Sequence, residues 1–422
     1  MRNVNAMGEH GIAMPRRPPH RATRRTFLQG IAGLVFAPAL IGYQTDGTAH
    51  AAGSTRDLGP QFRLQQVGAW RFNNEAYKFR FSPDGNFVAL MSRREIHVLE
   101  FPSGRPVARI AESRIAAGEV FGFGFEGRAI VTLRRLPERN APPLPEMIQV
   151  FETASGRLLD RIAPPPLDEK VTTRSIDVVA SADGCYVAVK LFELRVNQPP
   201  IESAIVLLDS RDFSVISILN ESAPQRSFGI HAGRMAISNA GLIGVAENDR
   251  ARAMANAPQL IAIYDLRSGE RLAAFPGTQE GAATVAWSPD DSLLAVGSQP
   301  LASQDRFTAE SARRNAHPDA VQEAAWVWDL RARRTIISFP PIHAPVRNTA
   351  FSPDNRWLAT TRAKYSRQLG SGLSVSRLSD GAEMFAYETP DHWVINEVAF
   401  SPSGRHFAFT EGREFKIFRV IA

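Results

Sequence analysis

The sequence predicts an all-β fold, a seven-bladed β-propeller made of four-stranded antiparallel blades. Three observations carry that prediction: a tight-turn marker that recurs seven times, a short apolar strand behind each copy, and no long helical period after about residue 51. The clearest copy is Phe351-Ser352-Pro353-Asp354-Asn355. Ser at the first turn position, Pro with its fixed φ at the second, Asp at the third and Gly or Asn at the fourth favour a type I turn. The other copies are Phe81-Ser82-Pro83-Asp84-Gly85, Ala180-Ser181-Ala182-Asp183-Gly184, Ile237-Ser238-Asn239-Ala240-Gly241, Trp287-Ser288-Pro289-Asp290-Asp291, Phe400-Ser401-Pro402-Ser403-Gly404 and a shortened Phe125-Glu126-Gly127.

The N-terminal segment stands apart from this pattern. Residues 1–51 hold a basic stretch with Arg16, Arg17 and Arg21, then Thr23-Arg24-Arg25-Thr26-Phe27-Leu28, a moderately apolar run from Ile31 to Ile41, and the small-residue pattern Ala49-His50-Ala51. This resembles a twin-arginine export signal cleaved near Ala51, with Arg24 and Arg25 addressing the twin-arginine export machinery and the mature protein periplasmic. The apolar run is short of the roughly twenty residues of a spanning helix, so no transmembrane helix is expected in the mature part. The domain reading is therefore a signal over 1–51 and one propeller over 52–422. Of the formal charge of +6, the six arginines of the signal against Glu9 and Asp46 account for +4. A basic balance that leaves with the signal gives no reason to expect nucleic acid. Cys185 is the sole cysteine, so no internal disulfide can form and the core must hold the fold.

Each repeat reads as four strands. After the turn comes an apolar run such as Asn86-Phe87-Val88-Ala89-Leu90 or His406-Phe407-Ala408-Phe409. After a gap of variable length comes a third, such as Ile205-Val206-Leu207-Leu208-Asp209 or Trp326-Val327-Trp328-Asp329. A second turn (Ser103-Gly104, Ser155-Gly156, Ser268-Gly269, Asp380-Gly381) leads into a fourth, such as Arg271-Leu272-Ala273-Ala274-Phe275. Markers lie roughly 44 to 64 residues apart, the spacing of propeller blades, which overrules a two-domain split by length. The last unit supplies only three strands, while an unassigned one lies around Phe62-Arg63-Leu64-Gln65-Gln66-Val67. Pairing that strand with the last three would complete the seventh blade and remove an open edge.

Trp328-Asp329, together with the segment from His343 through Val346, Ala350 and Phe351 to Asp354, resembles the WD-repeat (WD40-like) family over about Phe62 to Ala422. The family's Gly-His dipeptide is missing, and its aspartate between the second and third strands is not evident. The resemblance thus implies the family's fold with its structural hydrogen-bond network degraded, and a protein-binding or scaffold role.

Functional residues would sit on one face. The long second-to-third connections are Arg134 to Glu146, Leu191 to Ser203, Glu247 to Pro258, Gln299 to Glu323 and Ala363 to Ser371, in five consecutive units. Long loops on a compact fold are more often functional than idle. They are rich in arginine, and arginine and tryptophan are favoured at interfaces. The protein-binding candidates are Arg134, Arg139, Arg195, Arg252, Arg314, His343, Arg367, His392 and Trp393. His231, His317, His343 and His392 are weak metal candidates, since no pair has ligand spacing; no metal or other cofactor is expected. Glu100, Glu152, Asp209, Asp265 and Asp329 close the third strands too regularly to be one active site, and are expected to accept from turn amides. Cys185 is expected to be a small buried hydrophobe inside an apolar strand. No catalytic motif is present, so the expectation is an exported non-catalytic module with a protein partner. The alternative is a periplasmic enzyme or a redox enzyme's accessory subunit, as in propellers resembling lactonases, amine dehydrogenase subunits and copper-containing reductases, with an axial ligand or metal site.

Overall fold

A computed structural model of the protein describes residues 54–57, 62–74, 76–92, 95–111, 121–133, 148–162, 172–194, 203–220, 226–228, 235–249, 260–277, 282–298, 325–339, 346–362, 371–389 and 394–421. They form seven antiparallel sheets, the blades of a seven-bladed β-propeller. Blade 1, for example, is Ala76–Phe81, Phe87–Ser92, Glu95–Glu100 and Pro106–Ala111, paired in sequence order from the inner strand outward. The inner strands of the others are Phe121–Gly124, Thr172–Ala180, Met235–Ile237, Ala282–Trp287, Val346–Phe351 and Ile395–Phe400. In blade 4 a second short strand, Arg226–Phe228, joins Met235–Ile237 on the same neighbour, Leu242–Asp249.

Closure follows the expectation and adds to it. Arg63–Arg71 pairs with Glu414–Ile421 as the outermost strand of blade 7. Trp70 packs on Phe415, and a Cβ on Gly104 would come within 2.0 Å of the Trp70 ring, so only glycine fits there. One strand was not anticipated: Ser54–Asp57 pairs with Glu383–Glu388 as a fifth strand on blade 6. The same segment of chain thus finishes two adjacent blades.

The strands alternate so that each blade offers one apolar face to each neighbour, and every joint between blades has its own core. The joints from blade 1 to blade 4 are mostly aliphatic, with Val131, Val189, Ile205, Leu207 and Ile243 fully buried. Those flanking the closing blade are aromatic, including Phe79, Phe407, Phe409 and Phe415, each 0% exposed. Burying such a ring contributes about 1.5–3 kcal/mol. Trp328, of the Trp-Asp pair, stacks flat on Phe275 of blade 4 at 4.2 Å.

The third-strand acids divide by length. Asp209, Asp265 and Asp329 accept from the turn amides of Arg211, Arg267 and Ala332 at 2.7–2.8 Å. Glu100 and Glu152, one carbon longer, reach Ser103 and Ser155 hydroxyls and the Arg105 and Arg157 guanidiniums instead. Cys185 corrects the sequence expectation: it lies at the bend before the strand Tyr186–Leu194, half-buried rather than inside the core. Burial and the adjacent Asp183 raise its thiol pKa above the ordinary value, which suppresses the reactive thiolate. Two loop boundaries also move, since strands continue to Leu194 and Asp249 where loops were expected to begin at Leu191 and Glu247.

Candidate functional site

The inner strands surround an axial channel with a cavity of about 690 Å³. Each inner strand runs toward its marker turn, so turn residues lie at one end of the channel and strand starts at the other. The two ends are built differently.

At the turn end the marker residues bond to themselves and then to each other. Gly85 N–H donates to the Ser82 carbonyl at 2.8 Å, closing the turn, and Ser82 Oγ accepts from Phe87 N–H at 2.9 Å. Ser181, Ser288, Ser352 and Ser401 accept from Tyr186, Leu293, Trp357 and His406 in the same way. The serine recurs because one hydroxyl satisfies the amide that the turn leaves open. Burial raises the carboxyls of Asp84 and Asp290, but hydrogen bonds from Ser82 and Asn86, and from Ser288 and Ser292, outweigh it and hold both below the ordinary carboxylate value. Neighbouring turns are then tied together. Asp183 N–H donates to Asn239 Oδ1 at 3.0 Å, while Asn239 N–H and Ala240 N–H donate to the two oxygens of Asp291 at 3.0 and 2.8 Å. On the other side Glu126 N–H donates to the Gly184 carbonyl, and a Cβ on Gly184 would stand 3.0 Å from Pro83.

At the other end five inner strands carry a register shift at the same place, immediately before Lys78, Asp177, Thr284, Asn348 and at Asn396-Glu397. A bulge re-aims side chains and often adjoins a functional site. Counting back three residues from the first residue of the marker in these five blades gives Lys78, Asp177, Thr284, Asn348 and Glu397, so one polar residue in each occupies an equivalent position. All but Asn348 are at most 9% exposed. In blade 3 buried Asp177 stands directly opposite buried Lys190, an oppositely charged cross-strand pair.

Three blades are joined by these groups. Arg80 of blade 1 donates to Glu397 of blade 7, whose Oε1 also accepts from Asn348 Nδ2 of blade 6 at 2.8 Å. Asn348 Oδ1 in turn accepts from Val398 N–H at 3.3 Å. Trp287 Nε1 donates to the Ala236 carbonyl at 2.9 Å. The inner edge of an innermost strand has no ladder partner, so side chains from the next blade supply its hydrogen bonds. Arg347, the extra residue of the blade 6 bulge, lines the channel and is exposed.

A separate buried cluster joins blades 6 and 7, where the Tyr387 hydroxyl donates to Glu411 at 2.8 Å and Lys416 bonds to both. Burial and the Glu411 charge push Tyr387 up to about 12, the state of a fixed hydrogen-bond donor.

Arg134, Arg139, Arg195, Arg252, Arg314, His343, Arg367, His392 and Trp393, and the histidines His231 and His317, lie outside the described residues, as do Arg24 and Arg25. Among the described residues no three His, Cys, Asp or Glu side chains are grouped to hold a metal ion, and no helix is long and apolar enough to cross a membrane. The channel residues Lys78, Arg80, Arg347, Asn348 and Glu397 were not singled out from the sequence. For Lys78, Asn348 and Glu397 the signal was there, as polar residues three positions before a marker; Arg80 and Arg347 lie at other offsets and gave none. The sequence matches no protein-family model and no curated protein.

Proposed function

We propose that the chain is an exported, non-catalytic propeller of the WD40-like type that binds a partner protein through its loop-rich face. The observation that carries this is the difference between the faces. The first-to-second turns are tight and bonded to one another, whereas at the opposite face the second and third strands end with long stretches of sequence between them in blades 2 to 6 and only two residues between them in blades 1 and 7. Trp328-Asp329 and the four-stranded blades support the WD40-like assignment, and Arg24-Arg25 with the apolar run behind them supports export. The lining of the channel supports binding over chemistry. Among its described residues there is no histidine, cysteine or tyrosine, and the hydroxyls of Ser181 and Ser288 are held within their turns.

The test is cross-linking of the mature protein in its export compartment, comparing the natural chain with one carrying Arg134→Ala, Arg139→Ala and Arg252→Ala. Loss of a cross-linked polypeptide at an unchanged melting temperature is the expected result. The same adducts in equal yield would refute the docking face. Arg24→Lys with Arg25→Lys should retain the precursor in the cytoplasm.

A further inference from the structure

We propose that the loop-face half of the axial channel is a binding site for a small organic carboxylate with an apolar body. The site is distinct from the docking face and does not depend on it.

Three observations carry the proposal, and the first is unspent positive charge. Arg347 lines the channel, is exposed, and makes no hydrogen bond or ion pair with any described residue. Arg80 commits only Nη1, to the Phe79 carbonyl and Glu397, and keeps its other donors with a side chain 37% exposed. A guanidinium carries five donors in a planar fork, a geometry that matches a carboxylate. Glu397 balances the charge of Arg80, and no acid among the described channel residues is left to balance Arg347. Glu397 is occupied by Arg80 and Asn348, while Asp183 and Asp291 lie at the far end and are engaged by backbone amides.

The second observation is an orphan. Thr349, beside Asn348 on the same inner strand, lines the channel and is 5% exposed, and its hydroxyl has no hydrogen-bond partner. Leaving a buried hydroxyl unsatisfied costs about 1–3 kcal/mol, a cost that a bound acceptor would relieve. The third is the cavity itself. The whole channel cavity measures about 690 Å³, ample for a small molecule in one half, and Phe121 and Phe123 contribute to its wall. Guanidinium donors in a channel with aromatic residues in its wall select an anion attached to an apolar body. The fork favours a carboxylate over a spherical anion, and the limited number of cations favours a single charge.

Titration calorimetry of the mature full chain with acetate, benzoate and indole-3-acetate, with benzamide and inorganic phosphate as controls, tests the proposal. At least one aromatic carboxylate should bind at least tenfold tighter than benzamide and than phosphate. Arg347→Gln should weaken it at least tenfold with an unchanged melting temperature. Because Arg80→Gln alone would strand Glu397, the paired Arg80→Gln and Glu397→Gln variant serves as the second probe and should also weaken binding. Equal binding of benzamide, tighter binding of phosphate, indifference to Arg347→Gln, or no binding by any carboxylate at millimolar concentration would each overturn the proposal. The alanine variant of Arg134, Arg139 and Arg252 should bind benzoate normally, so failure of the docking face and failure of the channel site give different results.

Discussion

The two ends of the axial channel use similar residue types to opposite effect. At the turn end, Asp291 accepts two amides of the neighbouring blade, and Ser82, Ser288 and Ser352 each satisfy an amide of their own turn. Apart from the buried Asn355 Oδ1, which has no partner among the described residues, the turn groups named are engaged, and the turns hold the blades in a ring. At the loop end, Arg80 has donors in excess, Arg347 has none engaged, and the Thr349 hydroxyl is buried without a partner. A polar group that is fully satisfied supports the fold, and one left incomplete is available to a ligand. The difference assigns stability to one end and recognition to the other.

The largest expected effect breaks the turn end. Asp291→Ala should cost about 3 kcal/mol in chemical denaturation, because two amides lose a charged acceptor. Asp291→Gly should recover about 1 kcal/mol of that, since the position has φ of 60°, which glycine adopts without strain. Equal losses for both variants would show that backbone strain is not part of the cost.

Acid sharpens the comparison next. Asp84 and Asp290 have carboxyl pKa values held below the ordinary carboxylate value in the folded state. Their contribution is complete above that value and is lost as the pH falls through the lower, folded values. Thermal unfolding followed from pH 5 to pH 2 should therefore show a loss of stability that Asp84→Asn and Asp290→Asn together reduce. Arg347→Gln should not alter that profile.

The smallest effect belongs to the loop end. Thr349→Val replaces an unsatisfied hydroxyl by a methyl group of the same shape, so the unliganded protein should be unchanged or gain up to about 1 kcal/mol. A loss of more than that would mean that the hydroxyl already has a partner.

Much of the fold was legible because its signals are local. The serine of six markers, the glycine, asparagine or, at Asp291, aspartate in their fourth position and the apolar run behind them answer to the turn itself, and repetition turned one weak motif into a ring. The closing strand could be inferred by counting, and Arg63–Arg71 is where the missing strand was expected. Ser54–Asp57 could not, since four polar residues carry no strand alternation and owe their pairing to the edge of blade 6. The channel residues were hidden for a related reason. Lys78, Asn348 and Glu397 read as ordinary polar positions in strands, and only alignment of the blades on their turns reveals that they share a place.

The ring's seam has a consequence for synthesis. Arg63–Arg71 leaves the ribosome more than 300 residues ahead of its partner Glu414–Ile421. At about 5–20 residues per second, that early strand waits some tens of seconds for its ladder. During that wait blade 7 does not exist, and neither the joint between Phe79 and Phe415 nor that between Trp357 and Phe62 can close. Translation that stops short of Glu414 therefore yields an open arc whose exposed aromatic faces mark it for chaperones or proteolysis. Completion of the last strand acts as a checkpoint on the whole molecule.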